Sequence, residues 1–144
     1  MCILMNSLIL ENNNRNQLAA SLSNGKWVVA CLCAAWCGTC NDYQPGFLAW
    51  AEQHPDVVFA WIDIEDQADV VGDLDVENFP TLLIQRGDIV AFFGTVLPDL
   101  RLADRLLLAQ IEKSDETLRN EAFSSAEHKT WQKECNLRAL LHAA

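Results

Sequence analysis

Residues 26–33, Lys-Trp-Val-Val-Ala-Cys-Leu-Cys, form an unbroken apolar run of strand length. A strand without polar alternation is buried on both faces, so its sheet must be covered on both sides. Directly after it stand Ala34-Ala35-Trp36-Cys37-Gly38-Thr39-Cys40. Residues 42–53 then carry a helical pattern containing Pro45, which is expected to kink or restart the helix. Further strand-like runs fall at residues 8–10, 57–64, 81–85 and 89–93, the last two joined through Arg86-Gly87-Asp88 as a hairpin. Helical stretches fall at 15–22, at 67–74, and from Pro98 to 111, where Leu100, Ala103, Leu107 and Ile111 share a face. Strands alternating with helices predict an α/β fold with a mixed central sheet and helices on both faces.

At 144 residues and 51% apolar content, the chain is long enough to bury about 68 to 70% of its unfolded surface, and needs no disulfide or metal scaffold. Its six cysteines are therefore available for chemistry. Ten basic against twenty acidic side chains leave a net charge of -10, which argues against nucleic acid and anionic membrane as partners, since both need a positive patch. Residues 56–77 hold eight carboxylates and no Lys or Arg, as expected of a solvated acidic rim.

The charge divides the chain. Residues 1–112 carry five basic and fifteen acidic groups, whereas residues 113–144 carry five of each. The expected organisation is a main domain over 1–112 and a helical C-terminal extension over 113–144. In the extension, Ser124-Ser125-Ala126-Glu127 resembles a capping box that opens one last helix over 126–142. Trp131, Cys135, Leu137, Leu140 and Leu141 are too few to hold that helix alone, so it is expected to dock or self-associate. Deleting the extension is expected to leave a folded core.

A cysteine at the start of a helix meets unpaired N-H groups and about half a positive charge, which stabilise its thiolate. Cys37 is thereby the candidate nucleophile. Cys40, three residues on, shares its face and can close a small disulfide loop. Gly38 allows a tight turn between them.

With these residues in view, the chain resembles the thioredoxin family. The resemblance covers roughly residues 8–112. It rests on Trp36-Cys37-Gly38-Thr39-Cys40, Pro45, Asp63-Ile64-Glu65 at a strand end, Phe79-Pro80-Thr81, Gly87 in the hairpin and Gly94 just past the fifth strand. It implies a thioredoxin-like fold and a protein-thiol disulfide oxidoreductase. Cys37 would attack a substrate disulfide, and Cys40 would resolve the mixed disulfide. Trp36 would shape the surface beside them, and Pro80 would be cis. The main chain of Phe79 would pair with the substrate as an added strand. The implied partners are protein disulfide substrates and a reductase or dithiol donor, with no cofactor and no metal.

Departures from the pattern affect the chemistry. The buried carboxylate expected six residues before the nucleophile is Cys31, and the lysine near it is matched by Trp61. The proton relay is therefore missing. Thr39 stands where reducing members have proline, and Asn41 where they have lysine.

Cys31 and Cys33 face one side of a strand, and small apolar packing is the expected role for both, with a thiol near Cys40 in a redox role as the alternative. A zinc or iron-sulfur site is disfavoured, because the spacing fits no common ligand pattern. His54, His128 and His142 are expected to face solvent, and Cys135 to be packed. Without a basic n-region or a long apolar run, the chain is expected to be cytoplasmic. Cys2 would be a lipidation site only behind an upstream leader. The alternative function is a redox-sensing interaction module whose tail or acidic rim binds a partner protein.

Overall fold

The structure, a computed structural model, describes residues 6–74, 76 and 78–143. Cys2 and two members of the acidic run, Asp75 and Glu77, lie outside the described residues. Five strands, β1 (Ser7–Ile9), β2 (Trp27–Cys33), β3 (Val57–Asp63), β4 (Thr81–Arg86) and β5 (Ile89–Thr95), form one sheet in the order β1-β3-β2-β4-β5. The β1-β3 and β2-β3 pairs are parallel, and β2-β4 and β4-β5 are antiparallel, so the sheet is mixed as expected. The run chosen as a doubly buried strand is β2: Val28 to Cys33 are all buried. Gly87 turns the hairpin with φ 58°, a region that L side chains rarely enter. Gly94 lies inside β5 rather than beyond it.

Each face of the sheet carries its own core. On one side lie α2 (Gly38–Trp50), which continues into a 3-10 turn at Ala51–Gln53, and α4 (Leu100–Ile111). These bury Cys40, Phe47, Trp50, Ala103 and Leu107 against Val29, Cys31, Cys33, Phe59 and Trp61. Pro45 neither ends nor restarts α2, which runs unbroken through it. The α4 helix is capped by Asp99, whose side chain accepts from Arg101 N at 3.0 Å. Pro98, expected in its first turn, precedes that cap. On the other side lie α1 (Arg15–Ser23) and the single turn α3 (Ala68–Val71).

The extension differs most from expectation. It forms three helices, α5 (Asp115–Ala122), α6 (Ala126–Glu134) and α7 (Leu137–Ala143), instead of one. The α6 cap is Ser125, which accepts from His128 N at 3.1 Å; Ser124 Oγ instead donates back to Glu121 O. Asn136 breaks the anticipated long helix, its Oδ1 accepting from Ala139 N. The extension does dock. Cys135, Leu137 and Leu141 are buried in one cluster with Leu18 and Leu22 of α1, Val70 and Val71 of α3, and Leu83 and Val90 of the sheet.

Candidate functional site

The site is built where β2 runs into α2. Cys37 is the N-cap of α2, with φ -87° and ψ 117°, and its carbonyl accepts the first helical bond from Asn41 N at 3.1 Å. Its side chain makes no capping hydrogen bond and is partly exposed. Gly38 and Thr39 are exposed in the first turn, and Cys40, one step further, is fully buried.

Trp36 is 69% exposed and lies edge-on to Phe79, with ring centroids 5.6 Å apart. The Phe79-Pro80 peptide is cis, and Pro80 leads into β4, the neighbour of β2. The structure therefore brings Trp36, Cys37, Phe79 and Pro80, which are far apart in the chain, to one end of the sheet.

The acidic run contributes more than a solvated rim. Asp63 ends β3, and its carboxylate accepts from Ala35 N at 3.2 Å, from Glu65 N at 2.8 Å and from Asp66 N at 3.1 Å. It thereby ties the cysteine loop to the strand beside it. Glu65 accepts from Trp36 Nε1, which fixes the indole over the site. The sequence marked Asp63-Ile64-Glu65 at a strand end without a role for either carboxylate. The available signal was Asp63 at a strand end followed closely by turn residues, a common position for a side chain that satisfies loop N-H groups.

The cysteine pairing departs from the expected couple. Cys40 is joined in a disulfide to Cys33, not to Cys37, which is a free thiol. Cys33 and Cys40 have Cα atoms 5.8 Å apart, within the ordinary span of a disulfide. Cys31 lies beside them, its Sγ 3.8 Å from that of Cys33. Packing alone therefore does not describe Cys33. Cys31 is completely buried, and desolvation pushes its thiol far above the ordinary cysteine range. Opposite it on β3 stands Trp61, in register and uncharged. Among the described residues, no three His, Cys, Asp or Glu cluster closely enough to hold a metal ion.

Two expectations about other residues change. His54 is not simply solvent-facing: its Nε2 lies 2.6 Å from Asp104 Oδ1, which also accepts from Trp50 Nε1 at 2.8 Å. His128 stacks on Trp131 at 4.4 Å, with Nδ1 2.8 Å from Glu121 O. Cys135 is packed as expected, and burial, aided by the Glu134 charge, pushes its thiol up to about 11.

The layered sheet, the cysteine-bearing helix start and the cis proline before β4 define a thioredoxin fold, and solved structures agree. A thioredoxin h from poplar superimposes with a TM-score of 0.66 at 21% identity, covering 76% of this chain and 99% of that one. For thioredoxin f from spinach chloroplast the values are 0.64, 19%, 78% and 100%. At the level of sequence, the thioredoxin family model matches residues 7–106; the chain belongs to the thioredoxin family.

Similar curated proteins include a thioredoxin from Ophiophagus hannah, 42% identical over 67 residues, which is 45% of this chain and 64% of that protein. An H-type thioredoxin from Brassica campestris is 34% identical over 73 residues, 51% and 59% of the two chains. A thioredoxin from Mus musculus is 33% identical over 87 residues, 60% and 83%. The match spans 64% and 59% of the length of the first two relatives. Among the described residues, no helix is long and apolar enough to cross a membrane.

Proposed function

We propose that the chain is a protein-thiol disulfide oxidoreductase acting from Cys37. The observation that carries this reading is a water-accessible thiol at the N-cap of α2, flanked by exposed Trp36 and by Phe79 before a cis proline. The nucleophile is the thiolate form of Cys37. It attacks one sulfur of a substrate disulfide: the Cys37 bond to that sulfur forms, and the other substrate sulfur leaves as a thiolate. Once the dithiol donor has reduced the Cys33-Cys40 disulfide, Cys40 attacks Cys37, forming Cys37-Cys40 and releasing the second substrate thiolate. Trp36 and the main chain of Phe79 hold the substrate strand beside the sulfurs. Protein disulfides are the substrates, and a reductase or dithiol donor returns the electrons. The charge balance and the absence of a basic patch in the sequence favour neither nucleic acid nor anionic membrane.

Catalytic reduction of insulin with a continuous dithiol supply tests the reading. Wild type should turn over many times, Cys37→Ser should lose turnover, and Cys40→Ser should accumulate mixed disulfides through Cys37. Oxidation that stops at one equivalent without turnover would replace the enzyme with the redox-sensing interaction module. Equal trapping by the Cys37→Ser and Cys40→Ser variants would overturn the assignment of roles.

A further inference from the structure

The proposed reaction uses two cysteines, yet four stand together at the end of β2 and the start of α2. Their depths differ. Cys37 is partly exposed, whereas Cys40, Cys33 and Cys31 have at most 1% of their surface open to solvent. Cys40 sits between an outer thiol on its own helix and an inner one on the strand beneath, and its disulfide is with the inner one. The strand and the first helical turn hold Cys33 and Cys40 at a Cα separation of 5.8 Å. No rearrangement of the backbone is needed for that bond.

We propose that Cys33 is a third redox-active residue, which takes Cys40 over from Cys37 and so moves the oxidised couple inward. The inference rests on the oxidoreductase reading, because it starts from the disulfide that reading produces. The Cys33 thiolate attacks Sγ of Cys40 in the Cys37-Cys40 disulfide. The Cys33-Cys40 bond forms, the Cys37-Cys40 bond breaks, and the electron pair departs on Cys37, which regains a proton from solvent as Cys33 loses one. The substrate disulfide is the only oxidant, and the two electrons it received have come from Cys33 and Cys40 once the exchange is complete.

The arrangement suits each step. The departing thiolate is left on the one sulfur of the three that meets water and a helix N-terminus. Cys31, which burial keeps in the thiol form, has its sulfur 3.8 Å from that of Cys33 and can donate S-H to it when Cys33 is charged. Forming a thiolate in so dry a place is costly, so the inward step is slower than attack at Cys37 and accelerates as pH rises. Its consequence is an oxidised protein with a free Cys37 thiol. Such a protein can still attack a disulfide, but Cys40 is occupied, so the resulting mixed disulfide persists.

The test is differential alkylation of the full chain. Reduced protein is given one equivalent of insulin disulfide, quenched with acid at intervals, alkylated under denaturing conditions, reduced, alkylated with a second reagent and cleaved after Trp36 with chymotrypsin. That cut separates Cys33 from Cys37 and Cys40, which trypsin cannot do, since its nearest sites are Lys26 and Arg86. Early samples should protect Cys37 and Cys40, and late samples Cys33 and Cys40 with Cys37 labelled. In Cys33→Ser, labelling of Cys37 in the oxidised protein should fall at least about tenfold, while release of the substrate thiols is retained. Cys33→Ala should behave alike, which separates loss of the sulfur from an effect of the serine hydroxyl. If wild type protects Cys37 and Cys40 at all times with Cys33 always labelled, the inward step does not occur, although the oxidoreductase stands. If wild type releases no substrate thiol at all, both readings fall.

Discussion

At the scale of single residues, the chemistry turns on what has replaced a carboxylate. Resolution requires the Cys40 thiol to lose its proton, and beneath the helix stand two further thiols, Cys33, near enough to bond with Cys40, and Cys31 beside Cys33, itself disfavoured as an anion by complete burial. Resolution is therefore expected to be slow near neutral pH and to accelerate as pH rises. Cys31→Asp should speed it by supplying a proton acceptor. The same change should destabilise the fold by about 1–3 kcal/mol, because it buries a polar group where a small thiol stood and Trp61 offers its carboxylate no charge partner. Single-turnover release of the second substrate thiol against pH, beside chemical denaturation of the same proteins, checks both halves. A Cys31→Ala variant that resolves much more slowly than wild type would make Cys31 an active participant.

A second residue-scale device is Glu65. Its hydrogen bond from Trp36 Nε1 orients an indole that is otherwise 69% exposed. Glu65→Ala should raise the KM for a protein disulfide several-fold while leaving kcat largely unchanged, because the thiol chemistry is untouched and only the substrate-facing surface is loosened. An equal loss in kcat would place Glu65 in the chemistry itself. The sequence marked Asp63-Ile64-Glu65 at a strand end but not the bond from Trp36, which joins residues 29 apart; the candidate pair Cys37 and Cys40 was read from spacing within a single turn, and the role of Trp36 from the family resemblance.

At the scale of elements, what could be read was what is locally determined. The apolar runs of β2 and β3, the glycine turn between β4 and β5, and the one-sided pattern of α4 all appear close to their expected bounds. The partner that α4 finds on α2 could not be read, because it depends on a contact across fifty residues. Asp104 accepts from both Trp50 and His54. Burial works to raise its carboxyl, but those two hydrogen bonds and the His54 charge outweigh burial and hold it below the usual carboxylate range. A depressed folded-state value means a contribution present above the unfolded value near 3.8 and lost as pH falls through the lower folded one. Asp104→Asn should therefore lower stability at pH 7 and flatten its decline on the acid side. Thermal melts of both proteins between about pH 2 and 7 measure this.

At the scale of the whole molecule, the extension is not the appendage that its neutral charge suggested. It supplies Cys135, Leu137 and Leu141 to the core over α1 and α3. It is also joined to the sheet by amide side chains. Gln85, wholly buried in β4, accepts from Leu137 N at 2.8 Å and donates to Asn136 Oδ1 and Gly87 O. Gln132 does the same for β5, accepting from Val90 N and donating to Val90 O, each at 2.8 Å. At Val90 the edge strand thus has its backbone partners supplied by a helix instead of another strand. Periodicity could not show this, since the α7 apolar face holds only two buried leucines and its anchor is a polar residue in a different element. Deleting residues 113–144 would uncover Leu18, Leu22, Leu83 and Val90 and deprive Gln85 of its bonds to Leu137 N and Asn136 Oδ1, a loss of both burial and satisfied polar groups. The truncated chain is therefore expected to lose its cooperative thermal transition, contrary to what the charge boundary suggested. Gln85→Leu, which spares the leucines but removes the acceptor for Leu137 N and the donor to Asn136 Oδ1 and Gly87 O, should cost about 1–3 kcal/mol in the full chain. If the truncated protein melts cooperatively near the wild-type temperature, the extension is dispensable and the core of residues 1–112 folds without it.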